Sequence, residues 1–124
     1  MAHVHNPGFV KIVDEARREI RECSIQTVRE RLAQKEPFFL VDVREESEFA
    51  VDRLPGAVHI GKGILERDIE TRIPDPDADI VVYCGGGYRS ALAAWSLKKM
   101  GYTRVVSMDG GIRAWRDADF PLES

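Results

Sequence analysis

The stretch Asp79-Ile80-Val81-Val82-Tyr83-Cys84-Gly85-Gly86-Gly87-Tyr88-Arg89-Ser90 decides how the rest of the chain is read. Residues 79–83, after the Pro74-Asp75-Pro76-Asp77 turn, carry the strongest strand signal in the chain. From Arg89 to Met100 the composition changes to alanine, leucine and lysine. Gly101 then stands where a helix C-terminus favours glycine, so the spacing predicts a helix. Cys84 to Tyr88 is therefore a strand-to-helix loop. Ligands bind open α/β sheets at the carboxyl ends of strands, and a cysteine followed by three glycines is placed there.

Working outward, Asn6-Pro7 reads as an N-cap with proline at the first helical position, and Val10, Val13, Ala16 and Ile20 predict a helix over 7–22. Ser24 caps a second helix carrying Ile25, Val28 and Leu32, which ends before Gln34-Lys35-Glu36-Pro37. Phe38-Phe39-Leu40-Val41, a nearly continuous apolar run after a proline, predicts a strand covered on both faces that delivers Asp42, Val43 and Arg44 at its end. A helical turn over 45–50, a strand over 57–60 and an amphipathic segment over 64–72 follow. Arg104 to Met108 reads as the last strand, and Gly110-Gly111 opens a short helix with Trp115. Alternating strands and amphipathic segments predict a mostly parallel α/β sheet. We expect one such domain over 23–124, preceded by a helical extension over 1–22.

A chain of 124 residues and 14.0 kDa buries about two thirds of its unfolded surface, which supports a core without disulfides or a structural metal. Lys and Arg number 18 against 21 Asp and Glu, so there is no basic surplus of the kind nucleic-acid binding requires. No run reaches the ~20 apolar residues of a membrane span, and the N-terminus lacks an apolar signal core. The expectation is a soluble cytoplasmic protein that binds neither nucleic acid nor membrane. Cys23 and Cys84, the two cysteines, are expected as reduced thiols.

The chemistry centres on Cys84. Gly85, Gly86 and Gly87 let backbone N–H groups converge, and the following helix adds positive potential at its N-terminus. Together these are expected to lower the thiol pKa below its ordinary ~8.5 and to favour a thiolate or persulfide anion. Arg89 adds a planar fork suited to an oxyanion such as the sulfonate end of thiosulfate. Asp42 and Arg44, at a neighbouring strand end, are read either as a solvated pair or as a brace for the loop. Cys23 reads as structural and His59 as packing or surface. Trp95 and Trp115 read as core anchors. His3 and His5 lie in a terminus that sequence alone leaves unconstrained, without further ligands, so no metal site is assigned.

Cys84-Gly85-Gly86-Gly87-Tyr88-Arg89-Ser90 resembles the active-site loop of rhodanese-like sulfurtransferases. Three further blocks agree in order: Leu40-Val41-Asp42-Val43-Arg44-Glu45 with Glu48-Phe49, then Leu54-Pro55-Gly56-Ala57-Val58-His59-Ile60, and Gly110-Gly111-Ile112-Arg113-Ala114-Trp115. The resemblance spans about 23–117 and departs at Asp52-Arg53-Leu54, where the family usually carries Gly-His-Ile. It implies a five-stranded parallel sheet between helices. It further implies a Cys84 persulfide, cradled by the amides of Gly85, Gly86, Gly87, Tyr88 and Arg89. In such proteins the cysteine takes sulfane sulfur from a small donor, becoming the persulfide, and passes it to a thiol, cyanide or a sulfur-accepting protein, without a cofactor.

Two other readings are weighed. A cysteine phosphatase or arsenate reductase also closes a thiolate loop with arginine, but its loop is one residue longer and would place that arginine at Ser90. A regulatory or relay module acting on a protein partner is the second, and inactive members of this kind commonly lack the cysteine that is present here.

Overall fold

The computed structural model describes residues 4–124. Along the chain run α1 (Pro7–Arg17), β1 (Arg21–Cys23), α2 (Ile25–Ala33), β2 (Phe39–Asp42), α3 (Glu46–Val51) and β3 (Val58–His59). Then come α4 (Leu65–Arg72), β4 (Ile80–Tyr83), α5 (Tyr88–Lys99), β5 (Val105–Met108) and α6 (Gly111–Asp117). The five strands form one parallel sheet in the order β1-β5-β4-β2-β3. The expected α/β architecture, a five-stranded parallel sheet between helices, is what the chain adopts.

The central strand explains the layering. Successive side chains of a strand point to opposite faces. Ile80 and Val82 pack with Val41, Val43, Leu65, Ile69 and Leu97 on the α4 and α5 side, whereas Val81 and Tyr83 pack with Ile25, Val28, Leu40, Ile112 and Trp115 on the α2 and α6 side. Because both faces are covered, the run shows no polar alternation. The Tyr83 hydroxyl accepts from the Leu54 amide at 3.1 Å, and burial raises the phenol's pKa well above its ordinary value. Leu54 itself is fully buried, so the departure from the family pattern at 52–54 still provides a core anchor.

Three expectations are corrected. The leading helix stops at Arg17 rather than continuing to 22, and residues 21–23 become β1, whose register pairs Arg21 with Val106 and Cys23 with Met108. Backbone pairing with β5 outweighs the helical stripe that ends on Ile20. Asn6 keeps the extended N-cap backbone but makes no side-chain cap bond, whereas Ser24 Oγ accepts from Thr27 N at 3.1 Å as expected. Trp115 is fully buried and its indole donates to Pro121 O, but Trp95 is only partly buried. Its Nε1 donates to Glu19 and Lys99 Nζ sits 3.7 Å from the ring centroid. Among the described residues no helix is long and apolar enough to cross a membrane.

Candidate active site

β4 ends at Tyr83 and α5 begins at Tyr88, so Cys84 to Gly87 must turn the chain within four residues. Gly87 makes this possible with φ +96°, a conformation that favours glycine. The turn brings the first amides of α5 back over the sulfur: Cys84 Sγ accepts from Gly87 N at 3.2 Å and from Ser90 N at 3.3 Å. Ser90 Oγ lies 3.5 Å from Sγ and 2.8 Å from Ser107 Oγ, and both serines are fully buried. The amides of Gly85, Gly86, Tyr88 and Arg89 donate to no acceptor among the described residues.

The loop's carbonyls are held from the other side. Ile112 N donates to Cys84 O at 2.9 Å and Arg113 N to Gly85 O at 3.0 Å. A hydrogen-bonded loop whose carbonyls are tied down while several amides stay open is suited to an anion.

Cys84 is only 1% exposed and is reached through a cleft of about 190 Å³ lined by His5, Phe9, Gly86, Tyr88, Arg89 and Arg113. A second cleft of about 180 Å³ runs on the far side of Arg113, beside Gly85, Glu48 and Arg44. A cavity of about 380 Å³, between Glu19, Lys98 and Tyr102, contains no cysteine and lies away from the loop.

Arg89, expected to face an oxyanion, directs its fork at Glu48, with Nη1–Oε1 at 2.8 Å and Nη2–Oε2 at 3.3 Å. That hydrogen-bonded pairing outweighs burial and holds the Glu48 carboxyl at about 2. Glu48 also accepts from Glu45 N as half of the capping box of α3. Asp42 and Arg44 form a buried ion pair at 2.7 Å, and Arg44 Nη2 also donates to Asp52 O at 2.7 Å. Burial opposes the Arg44 charge, but the hydrogen bonds and charge of Asp42 raise its pKa. Asp52 in turn binds Arg116 of α6. The pair thus connects β2 to the helix that holds the loop carbonyls, and it is not solvated.

Sequence reasoning missed several contributors. Glu48 belonged to a recognised block, but its partner is 41 residues away. Ser90 and Ser107 meet only in the fold. Arg113 lay inside the Gly-Gly-Ile-Arg-Ala-Trp block without an assigned part. His5, read as unconstrained, has its ring 4.1 Å from that of Tyr88, while Phe9 lies 5.7 Å from the same ring. His3 lies outside the described residues. His59 is packing, with Nε2 2.7 Å from Arg44 O and its ring against Phe49. Cys23 is a partly buried free thiol whose pKa burial pushes up to about 11.

The model of the rhodanese-like domain matches residues 24–118. A sulfurtransferase of Allochromatium vinosum is 34% identical over 103 residues, covering 83% of this chain and 94% of that protein. The thiosulfate sulfurtransferase GlpE of Pseudomonas aeruginosa is 32% identical over 116 residues, covering 94% of this chain and 91% of its own length. Among solved structures, protein RPA3614 of Rhodopseudomonas palustris, described as a possible tyrosine phosphatase, superposes with a TM-score of 0.83. It is 32% identical and covers 99% of both chains. The family match spans the glycine loop, the buried brace and the helix beneath them, and on that ground the chain belongs to the rhodanese-like domain family, with sulfurtransferases among its relatives.

Proposed function

We propose that this protein is a sulfurtransferase that moves sulfane sulfur from a small anionic donor such as thiosulfate to a thiol or cyanide, through a persulfide on Cys84. The observation that carries this reading is the thiol held by the Gly87 and Ser90 amides beside four loop amides that have no partner among the described residues. In the first step the Cys84 thiolate attacks the outer sulfur of thiosulfate. A new S–S bond forms, the S–S bond of the donor breaks, and its electron pair leaves with sulfite. In the second step cyanide or a thiolate attacks the outer sulfur of the persulfide. Thiocyanate or a new persulfide departs and the Cys84 thiolate returns. Charge balances in each step, and neither step needs a cofactor.

The loop amides of Gly85, Gly86, Gly87, Tyr88 and Arg89 cradle the outer sulfur, and the N-terminus of the twelve-residue helix α5 favours its negative charge. Asp42 and Arg44 are positioning residues. They act through Asp52 and Arg116 on α6, whose amides hold the loop carbonyls. Delivery of the sulfur to a protein acceptor uses the same persulfide.

The phosphatase description of the Rhodopseudomonas palustris protein supplies a second reading. Four residues separate Cys84 from Arg89, and that arginine is closed onto Glu48 rather than free to clamp a phosphate. The two readings predict different chemistry on one residue. Incubation with thiosulfate should add a reducible ~32 Da to the Cys84 peptide, in a two-step ping-pong cycle that Cys84→Ser abolishes. Hydrolysis of an aryl phosphate, with no sulfur adduct formed, would overturn the proposal.

A further inference from the structure

We propose that Arg113 is the residue that reads the donor's charge, taking the sulfonate end of an anionic sulfane-sulfur donor while Cys84 takes its outer sulfur. This rests on the sulfurtransferase reading above and assigns its donor specificity to a residue of α6.

The inference comes from where the arginines around the loop send their charge. Arg17 faces Glu22 and Asp109, Arg44 is paired with Asp42, Arg89 with Glu48 and Arg116 with Asp52. Arg113 has no carboxylate partner among the described residues. It is also the arginine placed closest over the glycine loop. A Cβ added to Gly86 would stand 2.6 Å from Arg113 Nη1, and one added to Gly85 would stand 3.3 Å from Nη2. The same point at Gly85 lies 3.1 Å from Arg89 Nη2, so two guanidinium groups converge there with Glu48 as the one carboxylate among the described residues paired to either. A second anion is therefore favoured at that place.

The backbone of Arg113 fixes the approach, since its amide donates to Gly85 O at 3.0 Å and anchors the residue to the loop it overhangs. The side chain separates the two clefts and forms a wall of the one that reaches Cys84. Thiosulfate carries a sulfonate directly bonded to its transferable sulfur. When the outer sulfur meets Cys84, the sulfonate must lie in that cleft, where like charge on the thiolate would repel it unless a cation compensates. Arg113 provides a full charge and paired donors without first breaking an ion pair, and breaking one would be the cost of recruiting Arg89.

The test compares thiosulfate, a dianion, with methanethiosulfonate, a monoanion whose outer sulfur transfers by the same displacement and leaves methanesulfinate. In Arg113→Ala, kcat/KM for thiosulfate should fall by roughly 10- to 100-fold, mainly through KM, and for methanethiosulfonate by less than about threefold. Arg113→Lys should recover most of the loss. Raising ionic strength should raise the thiosulfate KM of the natural protein more than that of Arg113→Ala. Arg89→Ala should weaken both donors alike. The assignment fails if Arg113→Ala uses thiosulfate normally, if both donors lose equally, or if lysine is no better than alanine. The underlying reading fails separately, and the assignment with it, if the unsubstituted protein gains no sulfur adduct on Cys84 from either donor.

Discussion

Replacing Gly111 by alanine tests whether α6 is the floor of the glycine loop that carries Cys84. Gly111 has φ +60°, and an added Cβ would lie 2.5 Å from Gly85 O, 2.6 Å from Cys84 O and 2.6 Å from Gly85 C. Those are backbone atoms, and they cannot retreat, because Ile112 N and Arg113 N hold the same two carbonyls. The left-handed conformation costs a residue with a Cβ about 1–2 kcal/mol. Forced overpacking adds about 1–3 kcal/mol, for a total of roughly 2–5 kcal/mol. At about 3–6 °C per kcal/mol for a domain of this size, the melting temperature should fall by on the order of 10 °C or more. Gly101→Ala is the control: its φ is +108°, but nothing lies within 4 Å of the added Cβ, so only the conformational cost remains. Thermal unfolding followed by circular dichroism, with mass spectrometry of sulfur loading well below each transition, reads both effects. Gly101→Ala should load sulfur normally and Gly111→Ala poorly. If Gly111→Ala melted within about 3 °C of Gly101→Ala, or loaded Cys84 as well, the close support of the loop by α6 would be wrong.

Three other outcomes are expected. Ser90→Ala should cost about 1–3 kcal/mol by stranding the buried Ser107 hydroxyl, and Ser90→Ala with Ser107→Ala should be more stable than Ser90→Ala alone, which denaturant unfolding of both variants and the unsubstituted protein would show. Native Cys23 should resist iodoacetamide at pH 8, because burial puts its pKa at about 11; peptide mapping that finds free-thiol reactivity there would contradict the packing of β1. Since the unfolded thiol ionises near ~8.5, the stability tied to a neutral Cys23 is present below that pH and lost as pH rises toward 11. Glu48 has the opposite sign. Its stabilising contribution is present above the unfolded value of ~4.3 and lost as pH falls toward about 2, and its exposure keeps the contribution below ~1 kcal/mol. Glu48→Gln should therefore leave the shape of the pH–rate profile between pH 5 and 8 unchanged, as steady-state rates across that window would establish.

The parts of this molecule that were legible in the sequence are those where local pattern and tertiary demand coincide. Ile80 to Tyr83 are apolar throughout because both sheet faces are covered, and Ser24 caps α2 with its own side chain. Arg21-Glu22-Cys23 carries no such pattern. It is a strand because β5 offers it a backbone partner, and no side-chain rhythm records that. Trp95 sits in a helical stripe yet finds Glu19 and Lys99 at the surface. The site divides the same way. Cys84 and its glycines were evident because a strand end, a glycine turn and a helix start are contiguous in sequence. The pairing of Arg89 with Glu48, the contact of Ser90 with Ser107 and the placement of Arg113 over Gly86 each join residues from separate elements. Such pairings depend on the packing of whole layers.

The dependence of the glycine loop on α6 also bears on synthesis. The chain emerges from the ribosome in order, and Cys84 is made before the amides of Ile112 and Arg113 that tie its loop, and before β5, which lies beside β4 in the sheet. At about 5–20 residues per second that interval lasts a few seconds, during which Cys84 is an ordinary thiol on an unfinished sheet. β1 waits equally, since its partner β5 is the last strand made. The glycine loop is therefore completed late, after the slow, non-local closure of first strand onto last, and under the proposed function a nascent chain would have the cysteine before the loop that serves it.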